Sequence, residues 1–212
     1  MQYPSAKIIV FAKTPVAGQV KTRLILALGN DGAKQLHCQM MEQTLGTVTE
    51  NKIAPVELHC SPDITDDYIQ SLSKRYNMTL RDQQGKDLGE RMSHALSKAL
   101  DNSSYVILIG TDCPSLSAVY IQQAIEILQS DTDVVIGPAE DGGYVLIGVK
   151  SSHPEIFSHI DWGTDQVLQQ TKDRIQTQGI SFKELDTLWD VDTPDDLEYL
   201  KSQKQWASLL SE

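Results

Sequence analysis

The sequence lacks most of the patterns that assign a chain to a common class at once. Its three cysteines, Cys38, Cys60 and Cys113, include no CxxC pair. This argues against a disulfide framework and a structural zinc site, and it fits a reducing cytoplasm. The five histidines form no HExxH motif, and GxSxG is missing as well. Zinc-dependent hydrolysis and a serine nucleophile are therefore not indicated.

Positive charge and long apolar runs are also scarce. The 212 residues contain 18 Lys and Arg against 29 Asp and Glu, which gives a net charge of −11. Nucleic acids and anionic membranes both require a basic binding face, so we expect neither as a partner. The first apolar stretch ends at Lys13 and is too short for a signal peptide or a membrane span. We expect a cytoplasmic protein with one domain over residues 1–212.

Short apolar runs rich in Val and Ile alternate with segments of helical spacing. Such runs are typical of strands buried on both faces, and they lie at 7–13, 55–60, 105–110, 133–138 and 144–149. The last two runs are separated only by a short EDGGY segment, which predicts a hairpin or a crossing. The pattern predicts a Rossmann-like three-layer α/β/α sandwich with a mainly parallel mixed sheet.

Several helix ends are also indicated. The N-cap candidates are Thr65, Ser117, Thr164 and Thr193, and the last is followed by Pro194 and Asp196 in the pattern of a capping box. Gly29 and Gly179 lie where helices are expected to stop.

The stretch TPVAGQVKTRL at 14–24 concentrates positive charge just after the first predicted strand. Gly18 allows close backbone approach, and Lys21 and Arg23 are placed to contact phosphate oxygens at a helix start. A Walker A loop is excluded because Val20 stands where that motif requires glycine. An ordinary loop with solvated basic residues is the alternative.

Three aspartates follow predicted strands. Asp112 comes directly after the run at 105–110, where a carboxylate can bind Mg²⁺ or Mn²⁺, although an Asp near a proline also commonly forms a turn. Asp190 and Asp192 alternate, so they face the same way in extended backbone. The alternative for Asp192 is closure of the turn into the last helix.

Glycines and aromatic residues mark three further segments. In QGKDLGERM, Gly85 and Gly89 allow a flat ring or a sugar to approach, and Arg91 can reach an anion. A solvated first helical turn is the alternative. In EDGGY and DWGTD, glycines, carboxylates, Tyr144 and Trp162 suggest a ligand contact, against a plain hairpin turn and a core position for Trp162.

Six motifs occur in one order, namely FAKTPVAGQVKTRL, DLGERM, GTDCPSL, GPAEDGGYVLIG, WGTD and WDVDTPDDL. From Ile8 to about Leu200 they resemble the glycosyltransferase-A-like group of radical-SAM/selenodomain-associated transferases. The resemblance implies a nucleotide-diphospho-sugar transferase fold. This fold is shared more distantly with the molybdenum-cofactor and phospholactate guanylyltransferases.

The resemblance, together with the residues, gives a candidate site. The expected catalytic residues are Lys21, Arg23 and Asp112. The expected nucleotide-binding residues are Ala12, Lys13, Gly18, Lys21, Thr22, Arg23, Gly85, Leu88, Gly89, Arg91 and Thr111. Mg²⁺ or Mn²⁺ is expected at Asp112 with Asp190 or Asp192. The expected acceptor-binding residues are Asp141, Gly142, Gly143, Tyr144, Trp162 and Thr164. The TDC sequence lacks the double carboxylate of the DxD motif of many glycosyltransferases, because Asp112 is followed by Cys113 and then by Pro114.

Three functions fit these residues. The first is a metal-dependent glycosyltransferase that uses a nucleotide sugar and a small-molecule acceptor. The second is a nucleotidylyltransferase, which transfers a nucleoside monophosphate from a triphosphate to a phosphorylated small molecule and releases pyrophosphate. The KTRL sequence resembles a pyrophosphorylase loop and favours the second, whereas the resemblance to the named transferase group favours the first, which we place slightly ahead. The third is a nucleotide-binding module without turnover, for which the missing second acid at Cys113 leaves room.

Overall fold

The computed structural model describes residues 1–207, which form a seven-stranded sheet between layers of helices. The strands are β1 (Ala6–Lys13), β2 (Val56–Ser61), β3 (Thr79–Asp82), β4 (Tyr105–Ile109), β5 (Val134–Pro138), β6 (Tyr144–Val149) and β7 (Phe182–Glu184). Their order across the sheet is β3-β2-β1-β4-β6-β5-β7. β6 is antiparallel to β4 and β5, whereas the other neighbouring strands pair in parallel.

Helices cover both faces of the sheet. They are α1 (Ile25–Glu50), α2 (Asp67–Arg75), α3 (Leu88–Leu100), α4 (Ala118–Leu128), α5 (Val167–Thr177), α6 (Pro194–Ser202) and α7 (Lys204–Ala207). Side chains of α1, α2 and α4 share one apolar core with one face of the sheet, and those of α3 and α5 share a second core with the other face. A smaller cluster joins the start of α1 to α6 and Trp206. The predicted three-layer fold with a mainly parallel mixed sheet is confirmed.

The central strands were predicted well because their residues are buried on both faces. Ile8, Ile9 and Val10 of β1 are fully buried, as continuous apolar runs require. The short EDGGY segment joins β5 to the antiparallel β6, so the hairpin alternative is correct. The edge strand β7 was missed, since only one of its three residues, Phe182, is apolar and packs against the core.

Most of the predicted helix ends are confirmed, and two are wrong. Ser117 caps α4, and Thr193 and Asp196 form the predicted capping box at α6. Gly29 breaks α1, with φ 70° and ψ 173°, and Gly179 lies just beyond the end of α5. Two caps were wrong. Asp66 rather than Thr65 accepts the free N–H groups of α2, and α5 starts beyond Thr164, after Gln166.

Candidate active site

Many of the predicted site residues lie together where β1 and β4 end and β6 begins. The segment before α6 lies along the same edge, because the N–H of Val191 donates to the carbonyl of Asp112 at 2.9 Å. The N–H of Glu140 likewise donates to the carbonyl of Leu188 at 3.0 Å. The order of β6 in the sheet therefore brings residues from both halves of the chain together.

Two adjoining cavities open at this edge. The larger, called the cleft, has a volume of about 420 Å³. The smaller, called the small pocket, has a volume of about 210 Å³. Arg23, Asp112 and Asp192 line both. These three side chains therefore mark the boundary at which a ligand in one cavity meets a ligand in the other.

Lys21 contacts both the segment after β4 and the segment before α6 at this edge. Its side chain is only 3% exposed, and its ammonium lies 2.6 Å from Oδ1 of Asp112 and 3.2 Å from Oδ1 of Asp192. It also donates to the carbonyl of Val191 at 2.5 Å. Burial alone would lower the pKa of Lys21, but the carboxylates of Asp112 and Asp192 raise it above the ordinary value. Lys21 is therefore a buried cation whose three N–H donors already have acceptors.

The backbone at Lys21 is consistent with this role. Lys21 has φ 46° and ψ 43°, in the left-handed region that non-glycine residues seldom adopt. It precedes the 3₁₀ turn Thr22–Leu24, and Leu24 is fully buried in the cluster with α6. The buried Leu24 and the three acceptors of the ammonium group hold this conformation.

Asp112 presents two different oxygens. Oδ1 is buried against Lys21, whereas the side chain as a whole is 48% exposed. Oδ2 is consequently the oxygen that faces the cavities. Although burial would raise it, the ion pair with Lys21 holds the pKa of Asp112 below its ordinary value. Asp112 is therefore an ionised carboxylate with one oxygen available to a ligand.

Asp190 and Asp192 both line the cleft, and Val191 between them is fully buried. The predicted alternation of these side chains is therefore observed. Burial, and then the nearby Asp141 and Asp192, raise the pKa of Asp190 to about 7. Asp192 differs, because its Oδ1 accepts from Lys21 and its Oδ2 lies 3.7 Å from Arg23.

Arg23 is the exposed cation of the site. Its side chain is 65% exposed and faces both cavities. Lys13 and Thr22 line the small pocket beside it, and the ammonium of Lys13 donates to the carbonyl of Gln19 at 2.9 Å. His37, which the sequence analysis did not single out, also lines this pocket and hydrogen-bonds the carbonyl of Lys13 through Nε2 at 2.8 Å. Burial lowers its pKa, so the ring is neutral.

Five of the six predicted acceptor residues reach the cleft or its rim through backbone or side chain, namely Asp141, Gly143, Tyr144, Trp162 and Thr164. Gly142 does not line it. A Cβ at Gly142 would clash with the backbone of Asp165, and the carbonyl of Gly142 accepts from the N–H of Leu168 at 2.8 Å. The close contact predicted for this glycine is made by the chain itself rather than by a ligand.

Gly85 and Gly89 also lie close to other parts of the protein. A Cβ at Gly89 would lie 2.7 Å from Cζ2 of Trp162 and 2.8 Å from the carbonyl oxygen of Phe157. A Cβ at Gly85 would lie 2.6 Å from the backbone nitrogen of Arg91. Packing of the protein itself therefore accounts for both glycines, and the approach of a ring or sugar to them stays a prediction. Trp162 is half-buried on Gly89 and has another part of its ring on the cleft.

The remaining predicted nucleotide-binding residues are dispersed. Leu88 lines the cleft, whereas Ala12, Gly18, Arg91 and Thr111 line neither cavity as the described residues define them. The guanidinium of Arg91 donates to the carbonyl of Gly85 at 3.1 Å and to Oγ of Ser61 at 3.3 Å. Gly18 forms a turn with φ 79°. Their contact with a nucleotide stays a prediction.

The apolar wall of the cleft was missed. Phe11, Met92, Leu108, Val145 and Val167 line it, although each is at least nine-tenths buried. In the sequence these residues are indistinguishable from other core positions of strands and helices. Asp165 also lines the cleft and had a signal, because it ends the WGTD motif.

No group of three or more His, Cys, Asp or Glu side chains within residues 1–207 is arranged to hold a metal ion by itself. The carboxylates of Asp112 and Asp192 are instead bridged by Lys21. Two carboxylates nevertheless fit Mg²⁺, which is commonly held by one or two carboxylates together with substrate phosphates and water. The free Oδ2 of Asp112 is the observation that supports this fit.

Comparison with solved structures identifies the fold. A protein from Desulfovibrio desulfuricans G20, provisionally described as a nucleotide-diphospho-sugar transferase, is 32% identical with a TM-score of 0.84; the match covers 98% of this chain and 95% of that one. The inositol-1-phosphate CTP transferase from T. maritima is 14% identical with a TM-score of 0.61, covering 100% and 97%. The chain thus has the nucleotide-diphospho-sugar transferase fold, as the resemblance implied.

Glucosyl-3-phosphoglycerate synthase from Mycobacterium tuberculosis, solved with Mg²⁺ and UDP, also shares the fold. It is 11% identical with a TM-score of 0.58, and the match covers 98% of this chain and 79% of that one. No protein of curated function matches the sequence. Among the helices of the described residues, none is long and apolar enough to cross a membrane.

A family model described as "Uncharacterized protein conserved in bacteria (DUF2064)" matches residues 44–164. These residues include Asp112, Asp141, Tyr144, Trp162 and Thr164, and they span more than half of the chain. The chain therefore belongs to this bacterial family and has the fold of the nucleotide-diphospho-sugar transferases.

Proposed function

We propose that the chain is a glycosyltransferase that binds the diphosphate of a nucleotide sugar in the small pocket and an acceptor in the cleft. The observation that carries the proposal is the boundary between the two cavities. Arg23, Asp112 and Asp192 line both, so a donor and an acceptor bound there would meet at these side chains. Such positioning supplies much of the rate enhancement in transfer reactions.

The small pocket suits a diphosphate because its three cationic side chains, Lys13, Lys21 and Arg23, outnumber its two carboxylates, Asp112 and Asp192. Arg23 and Lys13 line it with the hydroxyl group of Thr22. Arg23 is exposed and forms only a 3.7 Å contact with Asp192, so its guanidinium can turn to a phosphate at low cost. Arg23 is accordingly the proposed main phosphate ligand.

Lys21 acts differently in this proposal. A phosphate contact would require its ammonium to give up Asp112, Asp192 or the carbonyl of Val191. We assign Lys21 as a positioning residue that keeps Asp112 ionised and fixes the segment 190–193 against β4. Its positive charge still lies within the small pocket and favours an anionic ligand there.

A divalent cation would be held by Asp112 and Asp192. When bound it would offset the charge that develops on the leaving diphosphate. The chain's own contribution is the free oxygen of Asp112, the guanidinium group of Arg23 and the alignment of the two cavities. The relative from Mycobacterium tuberculosis was solved with Mg²⁺ and UDP, which supports testing this cation and nucleotide first.

Nucleotidylyl transfer is the second candidate. The observation that favours it is the KTRL loop, in which the turn Thr22–Leu24 exposes Arg23 beside the small pocket. The relative from T. maritima, which carries the name of a CTP transferase, shares the fold. The two reactions differ in the bond that breaks, since one releases a nucleoside diphosphate and the other releases pyrophosphate.

The test begins with a thermal-shift panel of nucleotide sugars and nucleoside triphosphates, each with and without Mg²⁺ or Mn²⁺. A ligand that binds the folded chain raises its melting temperature according to its concentration and affinity. The best stabilising nucleotides are then incubated with a mixture of hydroxyl and amine acceptors, and the products are separated. Arg23→Ala is measured in parallel, with Arg75→Ala, an exposed arginine paired with Glu42, as the matched control.

Release of a nucleoside diphosphate from a nucleotide sugar supports glycosyl transfer. Release of pyrophosphate from a triphosphate overturns it in favour of the second candidate. Stabilisation by nucleotides without either product at any metal concentration supports a binding module instead.

A further inference from the structure

We propose that the acceptor in the cleft is an uncharged or positively charged molecule with an apolar portion, and that it carries no phosphate group. The proposal rests on the proposed function, because it names the substrate class of the same cleft. It applies to both transfer reactions. It also contradicts the phosphorylated acceptor that was expected for nucleotidylyl transfer.

The charge of the side chains that line the cleft disfavours a phosphate group. The basic and acidic side chains that line the cleft are Arg23, Asp112, Asp141, Asp165, Asp190 and Asp192. A single guanidinium thus faces five carboxyl groups. The buried ammonium of Lys21 offsets part of the charge of Asp112 and Asp192, but it forms no ion pair with the other three carboxyl groups of the described cleft wall. A phosphate ester in the cleft would be repelled by these carboxylates.

Three of these carboxyl groups lack a cation. Within the described chain, no Lys, Arg or His nitrogen lies within 4.0 Å of the carboxyl oxygens of Asp141, Asp165 or Asp190. Asp141 accepts from the backbone N–H of Gly143 at 2.8 Å, and Asp165 accepts from the side chain of Gln166 at 3.1 Å. Hydroxyl and ammonium groups of a ligand can donate to such carboxyl groups, whereas a phosphate dianion has no proton to donate.

The diphosphate of the nucleotide-sugar donor would take up the positive charge of Arg23. Arg23 also lines the small pocket, where it is the proposed ligand of the donor diphosphate. A divalent cation held by Asp112 and Asp192 would likewise be shared with the donor phosphates. Asp141, Asp165 and Asp190 lie outside that arrangement. No cation of the cleft wall is therefore left to bind a second phosphate.

The opposite wall is apolar. Phe11, Met92, Leu108, Val145 and Val167 form it, and the ring of Trp162 borders it. A cavity of about 420 Å³ with this lining can bury a ring or short chain, and removal of the apolar surface of that group from water favours binding. The acceptor therefore combines an apolar portion with hydroxyl or amine groups directed at the carboxyl groups.

In the glycosyl transfer, the hydroxyl oxygen or amine nitrogen of the acceptor forms a bond to the anomeric carbon of the donor. The bond from that carbon to the diphosphate oxygen breaks, and its electron pair leaves with the nucleoside diphosphate. The acceptor's proton is released to water. No oxidant or reductant takes part, and the step requires no phosphate on the acceptor.

The test uses three probes that share one body and differ in charge, namely phenyl β-glucoside, its 6-amino-6-deoxy derivative and its 6-phosphate. Their dissociation constants for the full-length protein are measured by isothermal titration calorimetry, with and without UDP and Mg²⁺. We expect the 6-phosphate to bind at least about tenfold more weakly than the neutral glucoside, and the amine to bind as tightly as the glucoside or more tightly.

Two variants test whether side chains of the cleft cause the expected order of the three affinities. Asp141→Asn and Asp165→Asn each remove one charge and retain the Oδ1 acceptor, so each is expected to reduce the preference of the protein for the amine over the phosphate. Asp173→Asn is the matched control, because Asp173 is exposed on α5 outside the cleft lining. It is expected to leave the three affinities unchanged.

Equal or tighter binding of the 6-phosphate overturns the proposal, and so does a failure of all three probes to bind. An order that Asp173→Asn changes as much as Asp141→Asn also contradicts it, because the discrimination would then come from overall charge. Failure of the proposed function is read separately, from the absence of UDP binding or of any product.

Discussion

The ammonium nitrogen of Lys21 lies 2.6 Å from Oδ1 of Asp112 and is almost completely buried there. The two residues follow neighbouring parallel strands of the sheet, one after β1 and the other after β4, although they are far apart in sequence. Their contact leaves the second oxygen of Asp112 open to the cavities. Lys21, which was expected to bind phosphate, thus orients the carboxylate of Asp112 and keeps it ionised. The exposed Arg23 remains available to a ligand.

Replacing Lys21 is expected to destabilise the fold. Lys21→Met retains the apolar stem but leaves the carbonyl of Val191 and the buried Oδ1 of Asp112 without their donor. The expected loss is about 2 kcal/mol of unfolding free energy, below that of a fully buried ion pair because both carboxylates are partly exposed. Urea unfolding measures it. An unchanged unfolding free energy would show that Lys21 does not hold the site together.

Arg23→Ala is expected to have the opposite profile. The side chain is 65% exposed, so its removal changes the unfolding free energy by less than about 0.5 kcal/mol. Loss of a charged phosphate ligand is expected to weaken binding of UDP or CTP about tenfold. Calorimetric titration measures the affinity, with Arg75→Ala as control. Equal affinity of Arg23→Ala and the native protein would exclude Arg23 as the phosphate ligand.

Asp112→Asn removes a charge at nearly constant volume. The amide oxygen can still accept from Lys21, so the far-UV spectrum and the melting profile are expected to stay close to those of the native protein. Turnover at saturating Mg²⁺ is expected to fall on the order of 100-fold, because an electrostatic contribution at the reacting phosphate is lost. Rates of diphosphate release measure the effect. A folded variant with full activity would rule out a role for Asp112 in the reaction.

The fold could be predicted because burial on both sides of a strand leaves a continuous apolar run. β1, β4 and β6 show this pattern, and helix spacing supplied the two outer layers. The edge strand β7 pairs only with β5 and exposes two of its three residues, so it leaves no such run.

The members of the site could be named more readily than their contacts. Strand ends and glycine motifs predicted Asp112, Asp192 and Arg23 together at one sheet edge, since those features are local in sequence. The pairing of Lys21 with Asp112 depends on the order of strands in the sheet. The space beside Gly89 is filled by the ring of Trp162, which lies far along the chain. Contacts of this kind follow from tertiary packing, which no local pattern encodes.

Gly89→Ala tests that packing. The added methyl group would lie within 3 Å of the Trp162 ring and of the backbone oxygen of Phe157, so one of them must shift. The expected loss is about 1 to 3 kcal/mol of unfolding free energy. Gly46→Ala in α1 is the control, because its nearest contact would be at 3.7 Å and alanine favours helix. Urea unfolding compares the two, and equal stabilities of both variants would contradict the packing role of Gly89.

Asp190 is expected to make stability depend on pH. Its pKa is raised to about 7, from an ordinary 3.8 in the unfolded chain. Between these values the folded state binds more protons than the unfolded state, so the unfolding free energy falls as pH rises. Below pH 4 the carboxyl group of Asp190 is protonated in both states and does not lower the unfolding free energy. Above pH 7 it is ionised in both, and the cost has its full value of about 1 to 2 kcal/mol, reduced by partial exposure to solvent.

Asp190→Asn removes this dependence because the amide stays neutral. The variant is expected to match the native protein at pH 4 and to exceed its unfolding free energy at pH 8. Asp195→Asn, at an exposed position in the first turn of α6, serves as control and is expected to show no such gain. Urea unfolding at pH 4, 5.5 and 8 gives the comparison. A difference between variant and native protein that is the same at all three pH values would mean that the pKa of Asp190 is equal in the folded and unfolded states, so that neither burial nor the neighbouring Asp141 and Asp192 raises it.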